Sequence, residues 1–493
     1  MTGSHRFEPL CSGSALIVVL WSVVVLSTIS YSSLRGTRLD LRVAKNFGDR
    51  VQARYLALGG IEYAKAFIHD TRQREYSSGE RYSEELYDNP SRFERVELGR
   101  GSFRVIRGRT PAEGYGEPLL FGVLDAERFL DLNRASVAEL RKLPDMDPDV
   151  AASIVDWRDP DPKVSDGGAE AEYYHNLRPP SLIRNSPIET IREVLMIKGV
   201  DPATAFGEDA DGDRLLDDNE RDGERRSPRD NGDSRLDGGW TQWVTLESSV
   251  PNLDRFGEER LELSNVTIDD LALIEGLDDA TAEAIVAWRD NRSLETVADL
   301  LDVKALQENP NANNNANNNG NNNGNRNDGG NSNGGNNRGA GDPAPNSGNN
   351  NNNNNGDAMQ PVGDSLIDAD LLASIGDHFT ASAALARENV ININTCSLEV
   401  LSCLTGMTED LAQAILDERQ IRTAFRSTAE LLEVEGMDQA KFKQLAPRLD
   451  VRSGTFLITA EGAVPGTGAR QTIQVTVRFG DFDVETLSYR EAL

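Results

Sequence analysis

The sequence predicts an α+β protein in which a long N-terminal transmembrane and stalk helix leads into an antiparallel sheet domain interrupted by helical modules. Three observations carry this prediction. An uncharged apolar run lies near the N-terminus, a hairpin unit recurs three times, and alternating strands flank the repeated units on both sides.

Residues 14–33 read SALIVVLWSVVVLSTISYSS. An uncharged run of about 20 apolar residues is long enough to cross a bilayer as a helix. It exceeds the core of an ordinary signal peptide, and only Ser30 and Ser32–Ser33 offer a weak small-residue cleavage site after it. Arg35, Arg38, Arg42 and Lys45 close the segment, and Phe47, Val51, Tyr55, Leu58 and Ile61 recur at helical spacing. With no proline between Pro9 and Pro90, one helix is expected from Ser14 to about His69.

The repeated unit appears first as Asn133-Arg-Ala-Ser136, Leu140, Leu143-Pro-Asp145 and Ile154-Val-Asp-Trp157-Arg158. Its second copy is Asn265-Val-Thr-Ile268, Leu271, Ile274-Glu-Gly276 and Ile285-Val-Ala-Trp288-Arg289, and its third is Asn394-Thr-Cys-Ser397, Leu401, Leu404-Thr-Gly406 and Ile415-Leu-Asp-Glu-Arg419. The Asn is expected to cap a short helix, and the Gly position to turn the chain into a second one. Trailing halves around Leu195–Val200, Leu300–Val303 and Leu431–Met437 read as a second hairpin that completes each module. The pattern resembles the helix-hairpin-helix (SAM-like) unit. Modules of that kind commonly bind DNA through hairpin amides and basic side chains. Here the hairpins carry Asp145, Asp147, Asp278, Asp279, Glu409 and Asp410, which would repel phosphate, and the net charge is −30. A nucleic-acid partner is therefore not expected.

The strands are expected at Gly101–Arg107, Leu119–Asp125, Thr455–Ala460 and Thr472–Phe479, the last alternating as Ile473, Val475, Val477 and Phe479. From about Gln307 to Gly356 the chain is nearly all Asn and Gly, a composition that cannot offset its ordering entropy and reads as a disordered linker. These signals divide the chain into a leader (1–13), a transmembrane and stalk helix (14–70), the first part of the sheet domain (71–130), a helical insertion with two hairpin units and an acidic loop (131–306), the linker (307–365), a third hairpin unit (366–453) and C-terminal strands (454–493).

Residues 209–220 read DADGDRLLDDNE. Oxygen ligands at positions 1, 3, 5, 9 and 12 of a twelve-residue loop suit Ca²⁺. These are Asp209, Asp211, Asp213, Asp217 and Glu220, with the Leu215 carbonyl at position seven and Arg214 where such loops usually have Gly. A partial second set follows as Asn231, Asp233 and Asp237. The competing reading is a solvated acidic loop. Cys11, Cys396 and Cys403 form no disulfide framework, because on one helix the last two would lie about 10 Å apart. No nucleophile–base set or phosphate-cradling loop is visible, so no catalysis is expected.

The short polar head ending in Gly13, followed by Ser14 and the apolar helix, resembles the prepilin-peptidase site of type IV pilin-like proteins, cut between Gly13 and Ser14. Val18 then stands at position five of the mature chain, where most pilins and pseudopilins carry Glu. Together with the helical modules inserted in a pilin-like α+β domain, this resembles the protein K family of minor pseudopilins in the type II secretion system. That resemblance implies a non-enzymatic subunit at the tip of a pseudopilus, nucleating filament assembly and supporting protein export. It further implies an N-terminal helix in the inner membrane with the C-terminal bulk in the periplasm, and N-methylation of the mature terminus. Its implied partners are other minor pseudopilins, the inner-membrane secretion platform, the prepilin peptidase and membrane lipid, and its implied cofactor is calcium in the helical region. The alternatives are a membrane-anchored helix-hairpin-helix protein for DNA binding or uptake, and a type IV pilus minor pilin.

Overall fold

A computed structural model describes residues 12–79, 82–110, 113, 119–216, 220–221, 223, 231–308, 359–480 and 483–492. They fall into two compact units. One comprises 1–78, 82–249 and 453–493, the other 79–81 and 250–452.

In the first unit, helix α1 runs from Ser12 to Ser78, past the expected end at His69. Its membrane-length half is solvent-facing throughout, with Leu16, Trp21, Leu26 and Tyr31 all more than 60 % exposed. Its other half lies on an antiparallel sheet whose strand order is β1 (Val96–Leu98), β2 (Gly101–Gly108), Thr455–Val464, Ala469–Phe479 and Val484–Ala492. Two short strands, β3 (Leu119–Leu120) and β4 (Leu124–Asp125), pair with β2 and with Thr455–Val464. The helical and strand contributions from both ends of the chain confirm a sheet domain interrupted by helical modules.

The buried face of α1 differs from the stripe expected at Phe47, Val51 and Tyr55, which are all exposed. Of the stripe, Ile61 is buried and Leu58 packs beside it, but Ala53, Leu56, Ala57, Ala64 and Ile68 make up the rest of the buried face, with Ala57, Ile61, Ala64 and Ile68 against Phe456, Ile458, Ala460, Val475 and Val477. The reason is distance. A Cβ on Gly60 would come within 2.9 Å of Ala460 Cβ, and one on Gly462 within 2.0 Å of the Ala53 carbonyl. Close helix–sheet approach selects small residues over bulky ones. The strand Val484–Ala492, bulged against its neighbour, was not expected from the sequence.

The three hairpin modules share one plan, and each is closed by a two-residue parallel pair. These pairs are Leu130–Asp131 with Val244–Thr245, Leu261–Glu262 with Phe379–Thr380, and Ile391–Asn392 with Leu449–Asp450. The first module belongs to the sheet-containing unit and the other two make up the second unit. In each, a short helix meets a longer one (Pro148–Arg158, Asp279–Asn291, Glu409–Arg422) through a left-handed residue. Gly276 and Gly406 occupy that position with φ 93° and 90°, and Asp145 takes it at φ 57°. Asp tolerates this region better than most residues with a Cβ.

Two expectations about these modules are corrected. The helix caps are Ser136, Thr267 and Ser397, each accepting from the amide three residues on, rather than the Asn that opens each unit. The Asn instead bridges distant backbone. Asn394 donates to the Phe425 and Val451 carbonyls and accepts from Phe425 N at 2.8 Å. Asn133 repeats this with Ile188 and Leu246. Asn265 is exposed and, among the described residues, donates only to Glu262.

The second correction concerns the Asn/Gly tract. In the first and third modules the second hairpin runs from a 3₁₀ turn through Gly199 or Gly436 into the helix Pro202–Phe206 or Gln439–Leu445. In the second module the 3₁₀ turn Val297–Asp302 is followed by the strand Ala305–Glu308, and Met359–Val362 pairs back on it before the helix Ala369–Ile375. The tract is thus inserted within the second module, where its siblings have a glycine turn. Residues 366–380 complete that module and do not open the third. Residues 309–358 themselves lie outside the described residues.

Candidate functional site

The acidic insertion sits between the second hairpin of the first module and its closing strand. Gly207 (φ 56°) ends the helix Pro202–Phe206, and the chain turns into the predicted loop. Asp209, Asp211 and Asp213 come together, each offering a carboxylate oxygen within 4.8 Å of the others. Asp209 and Asp213 are buried, as is Glu220, whose Oε1 accepts from Ala210 N at 3.0 Å. Asp217 lies outside the described residues.

The loop's local geometry follows from its sequence. Asp209 accepts from the amides of Gly212, Asp213 and Arg214, Asp211 from Asp213 N, and Asp213 from Leu215 N. Arg214, at the position where such loops usually need Gly, adopts the left-handed φ of 64°. What holds it there is its side chain. The guanidinium of this half-buried residue lies 4.1 Å over the Phe129 ring and donates to the Thr241, Gln242 and Val244 carbonyls. Burial pushes the Asp209 carboxyl up; Arg214 pulls the other way and Asp211 adds to the rise. A divalent cation would reverse that shift by supplying the missing positive charge. Arg490 reaches Asp211 Oδ2 at 3.0 Å.

Asn231, Asp233 and Asp237 form a shorter echo. Gly232 and Ser234 repeat the left-handed pair of Gly212 and Arg214. Asp233 N donates to Asn231, and Arg235 N to Asp233, both at 2.8 Å. Glu208 ties this stretch to the start of the first loop, accepting from the amides of Asn231 and Asp237. Asn231 and Asp233 are nevertheless exposed.

The structure also brings together a set that the sequence reading passed over. Asp159, Asp161 and Glu170 converge just after the helix Pro148–Arg158, with carboxylate oxygens mutually within 4.8 Å. Glu170 is 5 % exposed, and its Oε1, like Asp159 Oδ1, is buried without a hydrogen-bond partner. Burial raises the pKa of both groups, and neighbouring Asp156 and Asp161 raise them further. Asp156 is fully buried and accepts from Ser165 N. The signal was available: the acids follow directly on the Trp157–Arg158 pair used to align the modules. Of the other two copies, the second keeps an acid at the first of these positions, Asp290, and the third has Gln420 there.

The hairpin acids have a different job. Asp147 accepts from the amides of Asp149 and Val150, Asp278 from Thr281, Asp201 from Ala203 and Thr204, and Asp438 from Lys441. The helix-start amides that would face a phosphate are thus engaged by caps. The shared Arg is also structural: Arg158 donates to the Leu132 and Ala135 carbonyls, Arg289 to Val266, and Arg419 to Ile393 and Cys396. Cys396 and Cys403 are buried thiols, and Cys403 Sγ lies 3.2 Å from the Glu399 carbonyl. Gly13 and Ser14 fall at the start of α1.

Residues 132–205, most of the first module, match the family described as type II secretion system (T2SS), protein K. Residues 387–450, the third module, match the helix-hairpin-helix motif. No curated protein matches the chain. Among solved structures, a chain of the GspK-GspI-GspJ complex from the enterotoxigenic Escherichia coli type 2 secretion system is 12 % identical. The match covers 93 % of this chain and 99 % of that one, with a TM-score of 0.34.

Proposed function

We propose that this chain, a GspK-like protein by the family match of its first helical module, acts as a minor pseudopilin at the tip of a type II secretion pseudopilus. The observation that carries the reading is the conjunction of that module with a helix of membrane length that continues onto an antiparallel sheet. The exposed apolar half of α1 supplies the surface by which such a subunit anchors in the inner membrane and packs beside other minor pseudopilins. Val18, at 64 % exposure, puts no charge on that surface, which suits a subunit with no neighbour above it needing a charged partner. The remainder of the chain then lies in the periplasm, and its role is to nucleate the filament that supports export.

Calcium belongs to the same proposal. The loop of Asp209, Asp211, Asp213 and Glu220 fits a cation by its convergent buried carboxylates and by the left-handed Arg214. The cluster of Asp159, Asp161 and Glu170 fits one by its unpartnered buried oxygens. In either place the ion would neutralise carboxylates that burial otherwise penalises, and so would rigidify the first module.

Processing tests the function. Mass spectrometry of the chain from its native host is expected to find Ser14 as the first residue, N-methylated. Gly13→Val is expected to leave an unprocessed precursor and to abolish export of the system's secreted proteins. A mature chain starting near Ser33, or export unaffected by the variant, would overturn the assignment.

A further inference from the structure

Asp125 ends β4, and Glu127 follows it by two residues; both are fully buried. They face the two places where the backbone passes between the first unit and residues 250–452. The outgoing crossing is at Ser249, whose amide donates to Glu127 Oε1 at 2.8 Å. The returning crossing is at Ser453–Thr455. Thr455 N donates to both Glu127 oxygens, at 3.2 and 3.3 Å, and Ser453 Oγ donates to Asp125 Oδ2 at 2.7 Å. Thr455 Oγ1 reaches across to the Ser249 carbonyl at 3.2 Å, and Ala126 N donates to the Thr455 carbonyl. A pair of adjacent carboxyls therefore holds both crossings at once.

We propose that Glu127, with Asp125 beside it, is a proton-operated clasp on these two crossings, seated while Glu127 carries its proton and released when the proton leaves. The Glu127 contacts are buried, since Ser249 is 2 % and Thr455 0 % exposed, while Ser453 at the Asp125 contact is half-buried. An anionic Glu127 must share that space with Asp125 and has no cation among its hydrogen-bond partners. Around the pair stand Arg128, which serves Glu113 at 3.6 Å, and Tyr87, whose phenol burial and Asp125 push well up. Burial would raise Glu113, but Arg128 and Arg107 hold it down at about 2, so Arg128's charge is already engaged. Glu247, two residues before Ser249, lies 3.9 Å from Arg478.

The direction of the effect follows from linkage. Burial, then Asp125, pushes the Glu127 carboxyl up to about 8, against the bonds from Ser249, its own amide and Thr455. A carboxyl raised in the seated state and ordinary when exposed favours seating at low pH. That preference is lost progressively as pH rises from the ordinary Glu value through 8, because opening then releases a proton.

Hydrogen exchange of the full chain in detergent tests this at the Ser249 and Thr455 amides between pH 6 and pH 9. Protection factors, which divide out intrinsic pH dependence, are expected to fall at least about tenfold over that range. In Glu127→Gln the protection is expected to be flat. In Asp125→Asn, which removes the repulsion, the fall should be smaller and centred at lower pH. Wild-type protection that stays flat, or an equal fall in Glu127→Gln and wild type, would overturn the clasp. Should Glu127→Gln not fold, the displaced midpoint in Asp125→Asn decides, and an unmoved midpoint counts against the proposal.

Discussion

The first and third modules are built alike and extended differently. Both are closed by a parallel strand pair, both place an Asn across distant backbone, and both set an Arg on the carbonyls of their opening turn. The third module closes directly after its second hairpin, from the helix Gln439–Leu445 into Leu449–Asp450. The first module instead inserts the acidic loops between the helix Pro202–Phe206 and Val244–Thr245. The difference teaches that the frame is maintained by a few buried polar bridges. Whatever is threaded between them need only return the chain to the closing strand.

The largest effect should come from the bridge itself. Asn394→Ala leaves the Phe425 amide and the Phe425 and Val451 carbonyls without their buried partner, a loss of about 3 kcal/mol at roughly 1 kcal/mol or more per bond. Asn265→Ala, at the exposed and bridge-free position, should cost under about 0.5 kcal/mol. Urea unfolding monitored in the second unit would compare them, and equal losses would mean that the Asn bridge is not what closes a module.

Next in size is the cation. Calcium at about 100 times its dissociation constant should stabilise the chain by about 2.7 kcal/mol, with magnesium a poor substitute. Melting curves with chelator and with millimolar calcium read this gain. Its loss in Asp211→Ala or Glu220→Gln assigns it to the predicted loop, and its loss in Glu170→Gln assigns it to the cluster after Arg158. Coincident curves would leave both as acidic surfaces and sever the link between the insertion and ion binding.

The smallest test concerns the hairpin turns. Gly406→Ala places a Cβ 2.6 Å from the Gln444 side chain at φ 90°, whereas Gly276→Ala at φ 93° meets nothing within 4 Å. Both should lose about 1 kcal/mol or more from the backbone alone, with Gly406→Ala the worse of the two. Thermal unfolding would rank them.

These contrasts also mark what could be read from the chain. The hairpins were legible because a left-handed position selects Gly, and because the spacing from that residue to Ile and Arg repeats. The sheet was legible at Thr472–Phe479 because one face alternates. The bridging role of Asn was not, since its partners lie 31 to 57 residues away in the third module. The buried face of α1 was legible only at Leu58 and Ile61: helical periodicity finds a stripe of bulky residues, and close packing had chosen Ala and Gly for much of the rest. The place of the Asn/Gly tract was hidden for a related reason. Its neighbours Ala305–Glu308 and Met359–Val362 signal pairing only once they are seen side by side. At the acidic loop the ligand pattern was explicit, but the support for Arg214 comes from Phe129 and carbonyls near Trp243, far along the chain.

The ladder between Ala305–Glu308 and Met359–Val362 has a consequence for how this gene can change. Low-complexity tracts tolerate changes in length, whereas a change in length inside a folded module would shift every contact downstream. Here both ends of the asparagine run are fastened to each other by four paired residues on each side. A change in repeat number therefore alters neither where the chain departs nor where it returns. The length of the tract can thus vary without moving the residues that complete the second module.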